Sequence, residues 1–422
     1  MKIIFIGLLS LYFGIAFSQP PEKNKAPKVQ QIAYKASPRP DRIILSHGEN
    51  SIYEQTVTWR TDYSITNAVA ELTELTSGID FDDDVKKFKA ISEKVITIDE
   101  IVQYHHVSFS DLEADTYYAY RVGGNDYWSE WIQFKTPPNK DEAFSFIYMG
   151  DAQNDLFTKW SRVVREAFMA RPKAKFMLHA GDLINHAENN YEWGEWFQSI
   201  SFISKVMPQF VVVGNHEYVK VDGHKTGISS LVDPQFNFPK NGIEGLDDTN
   251  YFMDYLNMKL VVLNSNEKIE EQAIWLDEVL SKNDKKWIVV SFHHPIISGA
   301  EGRENKGIME HWKPILDHYK VDLVLQGHDH VYGRGRSIGS EEALSNKDSK
   351  TVYVVSVSGR KMYDVSNHPW MEKKAQNKQF YQLIDIDDNQ LEYRAYTTDN
   401  EIFDAFRLTK SNGKTKFKVL NN

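Results

Sequence analysis

The sequence predicts a layered α/β domain preceded by a small all-β sandwich. Three observations carry that prediction. Residues 38–138 hold several short strand-like segments separated by turn signals, the pattern of a β-sandwich. From residue 139 onward, continuous apolar runs alternate with stretches of helical periodicity, as a buried sheet covered by helices requires. One apolar run after another is followed by polar residues, several of them led by glycine, and this is the edge at which α/β sheets gather ligands.

Taken in order, residues 1–18 (MKIIFIGLLSLYFGIAFS) read as a secretory signal. Lys2 is followed by an apolar run to about Phe17, and Ala16 and Ser18 are the small residues a signal peptidase inspects. The alternative for so long a run is a membrane anchor. The signal reading implies an exported protein, periplasmic or secreted, with no membrane span after cleavage. Residues 19–37 carry Pro, Lys and Gln without periodicity and are expected to be a flexible lead-in. Strands are expected at residues 42–45, 55–60, 67–75, 104–109, 117–122 and 131–134, with Gly123-Gly124 and Asn125-Asp126 as turns. The acidic run at 80–84 reads as a solvated loop tip. Pro137-Pro138 closes the small domain, and residues 139–422 form the large one.

Within the large domain, buried strands are expected at 144–149, 175–179, 210–213, 260–263, 287–292 and 321–325, and helices at 159–169, 269–280 and 312–318. Short strands in residues 351–419 are expected to complete this domain. Composition narrows the function. The chain has 422 residues, with 49 Lys and Arg against 59 Asp and Glu, a net charge of −10. That balance argues against an obligate nucleic-acid partner. The complete lack of cysteine excludes disulfides, cysteine-ligated metals and a cysteine nucleophile.

The chemistry lies in the residues after the apolar runs. Asp151, Asp182, Asn215, His293, His328 and His330 each follow a strand-like segment. Carboxylate and carboxamide oxygens beside imidazole nitrogens suit Zn, Mn or Fe better than Ca. Six such residues exceed the needs of one tetrahedral ion. A pair bridged by Asp182 would clamp a phosphoryl group and lower the pKa of a bound water, giving a hydroxide nucleophile. The pocket would be locally positive within a negative molecule. His179, inside an apolar strand, reads as a core histidine. His105, His106, His224, His311, His318 and His368 read as structural.

The motifs GDAQ, GDLIN, GNHEY, FHHP and GHDH resemble, in order and spacing, those of the calcineurin-like metallophosphoesterases, and specifically the purple acid phosphatase branch. Residues 38–136, with TYYAYRVGG, WSEW and FKTPP, resemble that branch's fibronectin type III-like N-terminal domain, and GHDHVYGR resembles its ending motif. The resemblance implies an αββα metallophosphoesterase sandwich holding two divalent or mixed-valence transition-metal ions. Asp151, Asp182 and His330 would hold the first, and Asp182, Asn215, His293 and His328 the second. His216 would orient the phosphate and protonate the leaving group, and His294 matches a substrate-side position. Two positions depart from the pattern. Asn185 stands where purple members have a tyrosine, and Gln153 where many wider members have a histidine. Each could supply an amide oxygen to the metal, or water could take the place. Arg303 and Arg334, with Lys306 and Arg360, are candidate phosphate-side cations. The expected function is a secreted acid phosphatase-like phosphomonoesterase acting on small phosphate esters. The rivals are a phosphodiesterase or nuclease on the same site and a non-catalytic adhesion protein. The sequence leaves the oligomeric state open.

Overall fold

The structure is a computed structural model that describes residues 34–303, 305–336 and 351–421. The expected secretory signal, and all but the last residues of the expected lead-in, lie outside the described residues. Among the described residues no helix is long and apolar enough to cross a membrane.

The N-terminal part is all β: β1 (Asp41–His47), β2 (Gln55–Asp62), β3 (Ala68–Glu74), β4 (Lys86–Lys89), β5 (Ile91–Ile96), β6 (Ile101–Phe109), β7 (Tyr117–Gly124), β8 (Tyr127–Trp128) and β9 (Ile132–Lys135). One sheet runs β1-β2-β6-β5, and the other runs β4-β3-β7-β8 with β9 also on β7. Alternating residues of the two sheets meet in one core, including Leu45, Val57, Trp59, Phe109, Leu72, Tyr120 and Phe134. The sequence reading missed β4 and β5. Both are edge strands, mostly exposed, held by backbone pairing to β3 and β6. Without a buried face they lack the alternation that reveals a strand.

The large part contains β10 (Phe144–Met149), α1 (Ser161–Ala170), β11 (Met177–His179), α2 (Asn190–Ile200), β12 (Gln209–Val211), β13 (Tyr218–Val221), β14 (His224–Ile228), β15 (Tyr251–Tyr255), β16 (Met258–Val262), α3 (Ile269–Ser281), β17 (Trp287–Ser291), α4 (Lys306–His311), α5 (Lys313–His318), β18 (Leu323–Gln326), β19 (Tyr332–Gly335), β20 (Val352–Val355), β21 (Lys373–Ala375), β22 (Phe380–Ile386), β23 (Gln390–Thr397), β24 (Ile402–Ser411) and β25 (Lys414–Val419). Two mixed seven-stranded sheets result, ordered β12-β11-β10-β22-β23-β24-β25 and β15-β16-β17-β18-β20-β19-β21.

The period-2 alternation of strands sorts the second sheet's side chains into two cores. Leu260, Val262, Val289, Leu323, Leu325, Val352 and Val354 join the first sheet's residues and those of α1 and α2. Val261, Ile288, Val290, Val324, Tyr353 and Val355 pack with Leu276 and Leu280 of α3, Ile308 of α4 and Leu316 of α5. The layers are therefore helix, sheet, sheet, helix.

Helix α2 was not among the expected elements, although Trp193, Trp196, Phe197 and Ile200 fall at helical spacing and are buried. Asn189 caps it, its side chain accepting from the amides of Tyr191 and Glu192. Gly194 in its middle weakens the helical signal. The reason for that glycine is tertiary: a Cβ there would lie 2.3 Å from the Tyr34 ring. The sandwich docks on the same region. Leu45 N donates to Ser204 O (2.8 Å), Tyr120 Oη donates to Lys205 O (2.6 Å), and the buried Arg42 guanidinium reaches Asn190 Oδ1 (2.6 Å) and Gln235 Oε1 (2.9 Å).

Candidate metal centre

Strands β10, β11 and β12 are parallel neighbours, as are β16, β17, β18 and β20. The chain therefore leaves both sheets on the same edge. The loops there carry Asp151 after β10, Asp182 after β11, Asn215 and His216 after β12, His293 and His294 after β17, and His328 and His330 after β18. Asp151, Asp182, His328 and His330 all adopt left-handed backbone conformations, with φ of 45°, 50°, 73° and 52°. For non-glycine residues such conformations cost on the order of 1–3 kcal/mol each, and they cluster at functional sites.

Two groups of ligand-type atoms form. Asp151, Asp182 and His330 bring one atom each within 4.8 Å of one another, all three residues buried, and His293, His294 and His328 do the same. The groups touch, since His293 Nε2 lies 3.2 Å from Asp182 Oδ1 and 3.1 Å from His328 Nδ1. Three imidazoles are oriented through the same device. His293 Nδ1 meets Ala180 O (2.8 Å), His330 Nδ1 meets Lys361 O (2.8 Å), and His216 Nδ1 meets Asn185 O (2.6 Å). A carbonyl can only accept, so each Nδ1 carries a hydrogen and each ring leaves Nε2 as the atom a metal would take once the ring is neutral, as in metal-binding histidines.

Burial dominates the electrostatics. It pushes the Asp151 carboxyl well above the usual range, with the charge of Asp182 adding to it. Burial would raise Asp182 too, but His293 and His216 hold it well below. Burial pulls His293 down, yet Asp182 lifts it to about 9. Desolvation drives His294, His328 and His330 well below the usual imidazole value. Two buried acids that cannot both ionise unaided, one of them leaning on a protonated His293 and both beside His294, His328 and His330 kept neutral, form a set that cations would satisfy. The side-chain oxygen of Asn215 adds a sharper sign: it is buried without any hydrogen-bond partner. A donor set of this kind fits a metal.

The structure brings Asp151, Asp182, His293, His294, His328 and His330 together. His216 stands beside them, with its Nε2 4.0 Å from Asp182 Oδ2. Gln153 is fully buried and engaged at both ends of its amide: Nε2 donates to Asp182 Oδ2 (2.9 Å), and Oε1 accepts from Lys361 Nζ (2.8 Å). Asn185 contributes main chain, its carbonyl holding His216, while its side-chain nitrogen lies 3.1 Å from the His186 ring. Arg303 donates to His328 O (3.1 Å) and lies over the Tyr363 ring. Arg334 requires a correction. Its guanidinium is buried and bound to Asp404 through Nε (2.9 Å) and Nη2 (3.2 Å) and to Glu372 through Nη1, so it is a structural ion pair and not a phosphate-side cation. Arg360 pairs with Asp155 (2.8 Å).

Two residues escaped the sequence reading. Glu217, fully buried, accepts the amides of Asp182 (3.0 Å), Leu183 (2.8 Å) and Gly214 (2.6 Å), tying the second and third loops together. Burial pushes its carboxyl up to about 7. Its signal in the sequence is its place in Gly-Asn-His-Glu, directly after Asn215 and His216. Lys361 follows Ser358-Gly359 after the β20 run, the same strand-then-glycine grammar as the other site residues.

Residues 144–332 match the calcineurin-like phosphoesterase family, and residues 40–136 match the purple acid phosphatase N-terminal domain. Among curated relatives, purple acid phosphatase 22 of Arabidopsis thaliana is 28% identical over 57% of this chain and 55% of its own length. Phosphoenolpyruvate phosphatase of Allium cepa is 28% identical over 56% of this chain and 51% of its own. The chain thus spans about half the length of the curated relatives it matches. In fold, purple acid phosphatase PPD1 from yellow lupin (Lupinus luteus) seeds aligns with a TM-score of 0.73 at 18% identity, covering 89% of this chain and 75% of that one. A structure of PhoD aligns at 0.65 and 13% identity, covering 92% and 94%. The chain carries a calcineurin-like metallophosphoesterase domain behind a purple acid phosphatase N-terminal domain.

Proposed function

We propose that the protein is a metal-dependent phosphomonoesterase that hydrolyses small phosphate esters, using a pair of ions drawn from Fe, Zn and Mn. The observation that carries this reading is the pair of adjoining ligand-type clusters, Asp151 with Asp182 and His330 and His293 with His294 and His328, joined where His293 Nε2 lies 3.2 Å from Asp182 Oδ1. Asp151, Asp182 and His330 would hold one ion, and Asp182, Asn215, His293 and His328 the other. When bound, the ions supply Lewis acidity toward the phosphoryl oxygens and toward water. The names of the relatives, purple acid phosphatases and a phosphoenolpyruvate phosphatase, support a monoester substrate.

The protein's own part centres on His216. Its Nδ1–H is committed to Asn185 O. Burial pushes the imidazole down to about 4, with Lys361 acting in the same direction against Asp182. Above about pH 4 Nε2 is therefore a proton acceptor. A phosphate monoester carries a P–O–H group as its monoanion, the main form below its second pKa of about 6, so the relay belongs to the mildly acid range. Nε2 takes that proton and returns it to the leaving-group oxygen as its bond to phosphorus breaks, while water adds to phosphorus, so an alcohol and phosphate result. A diester offers no such proton, which favours monoesters. Metal-loaded protein is expected to hydrolyse an aryl phosphate faster than a bis-aryl phosphate. Failure to hydrolyse either with Mn, Zn or Fe, from acid to alkaline pH, refutes the reading.

A further inference from the structure

The segment after β20 brings a cation into the site. Its main chain is pinned to the first loop: Ser358 N donates to Gly150 O (2.7 Å) and Gly359 N to Asp151 O (2.7 Å). Two residues on, Lys361 O receives His330 Nδ1. With the backbone fixed on both sides, the Lys361 side chain places Nζ 2.8 Å from Gln153 Oε1 and 3.5 Å from His216 Nε2. Through Gln153 the ammonium is one amide away from Asp182. Its neighbour Arg360 is spent on Asp155, Arg303 on the His328 carbonyl and, at 3.9 Å, on Asp329, and Arg334 on Asp404 and Glu372. Lys361 differs from these in its partners. Neither is an acid, and among the described residues it forms no ion pair with a carboxylate. An ammonium has three donors and no acceptor, and a cation beside a polar pocket without a fixed counter-charge is arranged for an anion that arrives.

We propose that Lys361 anchors the substrate: its ammonium donates to a peripheral oxygen of the phosphoryl group, on the side of the site marked by Gln153 and His216. The assignment rests on the phosphatase reading for its substrate class, but the anchor is tested by anion binding alone. It also gives the Gln153 position a role: a neutral amide oxygen holds the ammonium in place without neutralising it, as a carboxylate would.

The test is calorimetric titration of inorganic phosphate into the metal-loaded full chain, as wild type, Lys361→Met and Lys361→Arg. Metal content and the kinetics of an aryl phosphate are measured alongside. Methionine keeps the unbranched stem, and the His330 contact is made by the main chain, so the site's scaffold is retained. Lys361→Met should weaken phosphate binding about 10–100-fold, the usual size for a lost charge-assisted hydrogen bond. It should raise KM by a similar factor, change kcat less and leave metal content unchanged, and Lys361→Arg should recover part of the loss. Unchanged phosphate affinity in Lys361→Met overturns the inference, as does a loss of metal that accounts for the weaker binding, or a wild type that does not bind phosphate. A wild type that binds phosphate through Lys361 but hydrolyses no ester overturns the phosphatase reading and leaves the anchor. Hydrolysis with no effect of Lys361 does the reverse.

Discussion

Replacing Gly214 by alanine tests the geometry of the centre at its tightest point. A Cβ at Gly214 would lie 2.2 Å from Asp182 Oδ1 and 2.5 Å from Asp182 N, where ordinary contact begins at 3.4 Å. The obstacle is the Asp182 carboxylate, which joins one group to the other through His293, and its own backbone, and neither can swing aside. Asp182 N and Gly214 N are both bound to the same oxygen of Glu217, at 3.0 and 2.6 Å, so the two loops cannot part without breaking those bonds. The clash is relieved only by moving Asp182 by roughly 1 Å, a displacement that costs about 100-fold in rate when it falls on a catalytic constellation. The overpacking itself should cost about 1–3 kcal/mol of stability. Metal content after loading, kcat on an aryl phosphate and thermal unfolding measure the three consequences. Gly307→Ala is the control. Its Cβ meets nothing within 4 Å, it lies in α4, and it should add about 0.5–1 kcal/mol without touching metal content. If Gly214→Ala binds its full metal complement and turns over at the wild-type rate, the argument that Asp182 is fixed by the Gly214 loop is wrong.

Three further outcomes are expected. Asn215→Leu removes a buried oxygen that has no partner, so the metal-free protein should lose no stability, while the rise in melting temperature on adding metal should shrink; equal metal-induced shifts in variant and wild type would count against a ligand role. Arg334→Met should cost about 3–5 kcal/mol, because Asp404 is left buried and unpaired, yet KM for an aryl phosphate should not move; a raised KM with intact stability would restore Arg334 as a phosphate-side cation. His47 is buried between the rings of Phe210 and Tyr255, neither ring nitrogen has a partner, and burial pushes it down to about 3 from 6.5. The unfolded chain therefore takes up this proton first as pH falls, so the stability present above pH 6.5 is lost toward pH 3 at up to about 1.4 kcal/mol per pH unit. His47→Leu should flatten that slope and gain about 1–3 kcal/mol at neutral pH by removing a buried unsatisfied group; urea unfolding at several pH values reads both.

The parts of this molecule that were legible in the sequence are those whose signal is local. Phe144–Met149 is a continuous apolar run because β10 is buried on both faces, and the Gly-led polar residues mark the carboxyl edge because tight turns and close approach both need a residue without a side chain. The parts that were not legible depend on partners far along the chain. Gly194 hides α2 until Tyr34 is seen against it. Arg334 sits in a motif beside two ligand-type histidines, and only the fold shows Asp404 and Glu372 consuming its charge. Lys361 obeys the same strand-then-glycine rule as Asp151, but its sequence neighbours carry no ligand-type residue, and only the folded chain brings it to Gln153 and His216.

The central claim is that the two groups of side chains hold a pair of metal ions. Anomalous diffraction from metal-loaded crystals, with elemental analysis of the same protein, tests it most directly. The account predicts one ion among Asp151, Asp182 and His330, and a second among Asp182, Asn215, His293 and His328, with Lys361 Nζ outside the coordination of either. Less than one ion per chain after loading with Mn, Zn or Fe, or ions bound away from Asp182, would contradict it.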